Sequence, residues 1–140
     1  MRSAIRILGL ALGFTALVAL APSPAAAQDD PLGKQFFPPE LVLQHQQEIA
    51  LTDAQREAIK AAINAAQPQF VDLQMKMQGE VGKLLQLVSA PAVDEKAAIT
   101  QAEKVMALET QIKKTQLTFL IRVKNTLSAE QQAKLTAKRS

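Results

Sequence analysis

LTDAQREAI, residues 51–59, returns nearly unchanged as LSAEQQAKL at residues 127–135. Each phrase opens with Leu, follows it with Thr or Ser, and sets a Gln and then an aliphatic residue at successive four-residue steps. Elementary helix chemistry reads both as helix starts. Thr52 fits the N-cap, with its hydroxyl accepting from a free backbone N–H while Gln55 at the third helical position reaches back to the cap amide. Ser128 and Gln131 repeat the arrangement. Asp53 and Glu130 put negative charge in the first turn, where the helix dipole favours it. Ile59 and Leu135 then begin apolar stripes.

Working outward, the stripe behind Thr52 is long: Ile59, Ile63, Ala66, Phe70, Leu73, Met77, Val81, Leu84 and Val88. Steps of three and four are the periodicity of a packed helix. From Asp53 to Val88 the helix extends about 54 Å. Pro68 falls on the side opposite the stripe, so the spacing predicts a bend that makes the apolar face concave. Gly79 and Gly82 weaken the helix farther on, as a hinge or a close crossing. Residues 89–93, SAPAV, break the pattern. Asp94 then caps a third helix running to about Thr126, with Ala98, Ala102, Val105, Leu108, Ile112, Phe119 and Val123 in its stripe and Thr115 filling a gap. The short connection makes the two long helices an antiparallel hairpin. A short helix is predicted before the hairpin, over Pro39 to Ala50, and another after it, capped by Ser128.

The remaining N-terminal residues divide in two. Residues 1–27 carry Arg2 and Arg6, an apolar run from Ile7 to Leu20, and Ala25-Ala26-Ala27, the pattern of a secretory signal cleaved after Ala27. Residues 28–38 read as a flexible leader, with Phe36-Phe37 either docked on the helical body or forming a sticky arm. Residues 39–138 are then one helical domain. The chain has 16 basic and 13 acidic side chains for a net +3, and loss of Arg2 and Arg6 with the signal leaves +1. With charges interspersed and Phe the only aromatic residue, nucleic acid is not expected as a partner. Nor is stable membrane insertion after cleavage. There is no cysteine, hence no disulfide and no lipidated anchor. The fold class that follows is all-α: a long, kinked antiparallel helical hairpin with short flanking helices.

Two surfaces stand out. Between Leu117 and Val123 the apolar stripe widens, with Leu117, Phe119, Leu120 and Ile121 covering more of the helix than one partner can bury. With Phe70, Met77 and Arg122 these form an expected client or dimer surface, unless the short first and fourth helices cover it. Catalysis has little support: the chain lacks a cysteine nucleophile and a phosphate loop, and His45 is its one histidine. No cofactor is expected and the protein reads as a non-enzyme. Metal ligands are sparse, with His45, Glu48 and Glu57 as weak candidates.

With the repeated L-[T/S]-x-x-Q phrase at Leu51, Thr52, Gln55 and at Leu127, Ser128, Gln131, the chain resembles the Spy/CpxP family of periplasmic proteins, which is known by its LTxxQ motif, and that family's heavy-metal-binding relatives. The resemblance spans roughly Leu41 to Leu135. It implies a periplasmic, cradle-shaped homodimer that shields unfolding client proteins without ATP in an envelope stress response, or a stress sensor that restrains the periplasmic domain of a membrane kinase. Its heavy-metal-binding relatives imply the alternative of a periplasmic heavy-metal sensor or resistance protein. The motif residues themselves read as structural, joining the short flanking helices at one end of the hairpin.

Overall fold

The computed structural model describes residues 30–139. The expected signal peptide, residues 1–27, lies outside the described residues, as do Gln28, Asp29 and Ser140. Among these residues four α-helices follow one another: α1 (Pro39–Gln44), α2 (Asp53–Val88), α3 (Glu95–Thr126) and α4 (Ala129–Ala137). Among the described residues there is no strand. The long helices α2 and α3 pack against each other as an antiparallel hairpin.

The helix starts form for the reasons in the sequence. Thr52 Oγ1 accepts from the Gln55 amide at 3.1 Å, and Gln55 Oε1 accepts from the Thr52 amide at 3.0 Å. Ser128 and Gln131 do the same at 3.2 and 2.9 Å. Asp94 caps α3 by accepting from the Ala97 amide. Helix α2 continues through Pro68 without a break. Pro68 is exposed, so water can serve the Asn64 carbonyl that the missing N–H leaves without an intrahelical donor.

Two segments depart from the sequence expectation. The first helix was expected to reach Ala50 but ends at Gln44, and residues 45–50 form turns instead. Here the chain must reverse to deliver Leu51 to the core: Leu51 N donates to Gln46 O at 2.8 Å, and Ala50 takes a positive φ of 51°. That conformation costs a non-glycine residue about 1 kcal/mol, which surrounding contacts must offset. The stretch expected as a leader folds back from Gly33 onward. Gly33–Gln35 make a 3-10 turn, and Phe37 is 3% exposed within the core. Arg139 lies over the Phe37 ring at 4.8 Å and donates to the Lys34 carbonyl, so the two ends of the described chain hold each other.

The buried core sits at one end. Phe37, Val42, Ile49, Leu51, Ile59, Val123, Leu127 and Leu135 form one cluster, drawing on every helix and on both motif leucines. Farther along the hairpin only Leu73, Ala98 and the polar Gln101 are buried, while Phe70, Met77, Val81 and Leu84 are half-covered. Two helices side by side shield one stripe each and no more, so the far seam keeps contact with water. The crowded 117–123 segment divides accordingly: Val123 is fully buried and Phe119 packs on the core, whereas Leu117 and Ile121 remain 39% and 40% exposed.

A Cβ built on Gly79 or Gly82 meets nothing within 4 Å. Neither glycine is needed for a close approach inside this chain. Gly79→Ala and Gly82→Ala should therefore each raise stability by roughly 0.5–1 kcal/mol in urea unfolding, the usual gain for a helix interior. Destabilisation in either variant would place another backbone against that position.

Candidate functional site

The two motif glutamines, 76 residues apart in sequence, bond to each other. Gln55 Nε2 donates to Gln131 Oε1 at 2.8 Å, and Gln131 Nε2 donates back to Gln55 Oε1 at 2.9 Å. Each amide also serves the other motif's backbone. Gln55 Nε2 donates to the carbonyl of Thr126 at 2.8 Å, and Gln131 Nε2 to those of Ile49 and Ala50 at 3.2 and 3.4 Å. Thr126 and Ala50 are the residues just before the motif leucines, so the pairing is nearly two-fold. Every amide oxygen accepts twice and every amide nitrogen donates at least twice. Gln131 is 8% exposed, a depth at which unpaired amide groups would be costly. The duplicated phrase thus has a second purpose beyond capping: it joins α2 to α4 and both to the turn at Ala50.

Of the weak metal candidates, His45 and Glu48 meet and Glu57 pairs elsewhere. His45 Nδ1 bonds Glu48 Oε1 at 2.9 Å, and the second Glu48 oxygen is held by Lys138. The hydrogen bond from Lys138, followed by that to His45, holds the Glu48 carboxyl below its ordinary value. Glu57 is bound to Lys60 at 2.9 Å, and that hydrogen bond lowers its carboxyl in turn. Among the described residues no three His, Cys, Asp or Glu side chains are grouped to hold a metal ion.

The hairpin has two unlike flanks. On a helix advancing about 100° per residue, positions just before and just after a seam residue lie on opposite sides. On α2 the preceding positions are Gln69, Asp72, Lys76, Glu80 and Lys83, all polar or charged; the following ones are Val71, Gln74, Gln78, Gly82 and Leu85, none charged. A groove lined by Gln69, Asp72 and Lys76 together with Gln111 and Lys114 shows that the preceding positions of both helices share one side. The opposite side therefore carries Val71 and Leu85 with Ile99 and Met106 of α3, exposed by 50, 58, 55 and 52%, and by the same spacing it also carries Glu103, Glu109 and Lys113 of α3. Met75, 68% exposed, points outward on that same side.

The surface expected from the sequence is spread over both sides and the seam. Phe70, Met77 and Phe119 face the seam, Leu120 is half-buried, Leu117 and Ile121 are exposed, and Arg122 lines the polar side. Sequence reading missed Gln101, which is 6% exposed and donates to the Glu80 carbonyl at 2.9 Å across the seam. A glutamine at a seam position between Ala98 and Val105 was the available signal.

The family model described as heavy-metal resistance matches residues 8–134, both motifs included. The chain belongs to this heavy-metal-resistance family. No curated protein and no solved structure matches it. Within this heavy-metal-resistance chain the best-built polar constellation is the glutamine pair, and it is a fastening device with no free group to offer a ligand.

Removing Gln131 strands the Ser128 amide, the Ile49 and Ala50 carbonyls and half of the Gln55 amide. Gln131→Ala should cost about 2–4 kcal/mol, against about 1 kcal/mol for the cap variant Ser128→Ala. The double variant Gln55→Ala/Gln131→Ala should cost less than the sum of its singles by about 1 kcal/mol, because the reciprocal bonds are lost only once. Urea unfolding of the four proteins measures both numbers.

Proposed function

We propose that this chain serves heavy-metal resistance in the periplasm, without catalysing a reaction, through protein contact on the flank that exposes Val71, Leu85, Ile99 and Met106 rather than by enclosing metal ions. The family match over residues 8–134 carries the first half of this reading. The donor set carries the second. A closed zinc site takes four nitrogen, sulfur or carboxylate ligands, and copper favours soft ones. Here the single histidine is bonded to Glu48, Glu48 is shared with Lys138, and Glu57 is held by Lys60. These residues do not fit a metal held within one chain.

The finer reading is a protective role of the Spy/CpxP kind, in which the flank bearing Val71, Met75, Leu85 and Met106 holds proteins that metal stress has begun to unfold. The magnitudes suit it. Covering half-exposed Val, Leu or Met side chains yields about 1 kcal/mol each, and association costs several kcal/mol. Contacts of that size are weak enough to reverse without ATP. Met75 and Met106 add adaptable surface for unlike clients. Self-association across the same flank would give a homodimer.

Growth at inhibitory zinc, nickel and copper tests the reading in cells lacking the chain and re-expressing variants. His45→Ala should restore tolerance, and Val71→Asp/Met75→Asp should not. The purified protein should suppress aggregation of an unrelated unfolding protein with or without chelator, and the aspartate variant should lose that activity. The reverse outcome, a failing His45→Ala with lost submicromolar metal affinity and a fully active aspartate variant, would assign the function to metal binding.

A further inference from the structure

The polar side of the hairpin holds a feature that resistance through the opposite flank leaves unused. Where α2 carries Ala62, Ala65 and Ala66 and α3 carries Thr115, both helices present small side chains at the seam, and a cleft of about 160 Å³ opens between them. That is roughly five water molecules' share of liquid volume. Its polar lining is Gln69, Lys114, Thr115, Thr118 and Arg122, with no carboxylate.

All five of these side chains are uncommitted. Elsewhere Arg56, Lys60, Lys76, Lys83, Lys134 and Lys138 each hold a carboxylate. Lys114 and Arg122 have no such partner among the described residues; Lys96 and Lys113 share that state, but only Lys114 and Arg122 line the cleft. The threonines show the same contrast. Thr110, Thr126 and Thr136 each donate to the carbonyl four residues back, at 3.0, 2.9 and 2.9 Å, the usual satisfaction of a helical hydroxyl. Thr115 and Thr118 make no such bond, and the Gln69 amide is likewise free. Lys114 and Arg122 are eight residues apart on α3, or about 12 Å along the axis, so their long side chains can converge over the threonines between them. The adjoining stretch of the groove has one carboxylate, Asp72, and Lys76 holds it at 2.8 Å.

We propose that this cleft binds a small oxyanion, such as phosphate or sulfate, between the Lys114 and Arg122 cations, with the Thr115 and Thr118 hydroxyls and the Gln69 amide completing its shell. The guanidinium supplies two parallel donors, the ammonium a point charge, and the hydroxyls orient the anion's remaining oxygens. Ala62, Ala66 and Phe119 form the half-buried floor of the cleft, while Gln69, Lys114, Thr118 and Arg122 stand exposed at its rim, where an anion can reach them from solvent. The site does not depend on the proposed resistance mechanism, since none of its residues lies on the flank of Val71, Leu85, Ile99 and Met106.

The test is a nuclear magnetic resonance titration of the purified protein with inorganic phosphate, against chloride at matched ionic strength. Saturable shifts confined to Gln69, Lys114, Thr115, Thr118 and Arg122 are expected with phosphate and not with chloride. Arg122→Ala and Lys114→Ala should each weaken binding about tenfold, the worth of a charged hydrogen bond, while Lys96→Ala, which removes the same charge elsewhere, should not. Thr118→Val, nearly the same shape, should weaken it severalfold. Equal responses to phosphate and chloride, non-saturating shifts at lysines throughout the chain, or equal losses in Lys96→Ala and Lys114→Ala would each overturn the proposal. Unchanged helical circular dichroism in every variant keeps these results free of folding defects.

Discussion

A pair of amide groups holds this protein in shape. The bonds between Gln55 and Gln131 join segments 76 residues apart, at the one end of the hairpin where a core exists. A hairpin of two long helices buries little apolar area for its length, and its far half leaves the seam half-covered. Stability therefore concentrates where α1, the turn at Ala50 and α4 close over Ile59 and Val123. The glutamines make that closure specific, because an amide that must donate to named carbonyls tolerates no slip in register.

Concentrating the core at one end leaves the rest of the hairpin available. Its two sides differ in chemistry because one residue before or after each seam position selects opposite directions. Charges on the preceding positions keep one side wet and, around Glu80 and Gln101, help pin the helices together. The following positions of α2 carry no charge from Val71 to Leu85, and the charges on that side come from Glu103, Glu109 and Lys113 of α3.

Much of this was legible beforehand. The capping boxes at Thr52 and Ser128, the Asp94 cap and the hairpin follow from local chemistry, because a cap is a contact between residues three apart. The extent of the first helix was misjudged because nothing local forbids Gln46 to Ala50 from being helical. What overrides propensity there is the demand that Leu51 reach the core and that the Ile49 and Ala50 carbonyls face Gln131. The docking of Phe37 is not legible for a similar reason: a ring before two prolines has no local partner, and its contact with Arg139 comes from the other end of the described residues.

The sequence by itself determined the helices, their starts and the direction of their apolar stripes, since each depends on interactions within a turn or two. It also bounded the chemistry through one histidine and no cysteine. Only the tertiary structure decided that the repeated glutamines bond to each other, that Lys138 reaches Glu48, and that Lys114 and Arg122 overlook one cleft. Those outcomes depend on which residues of α2 and α3 lie at the same level. That register is set by side chains packing across the seam, a long-range agreement that no single stretch of sequence contains.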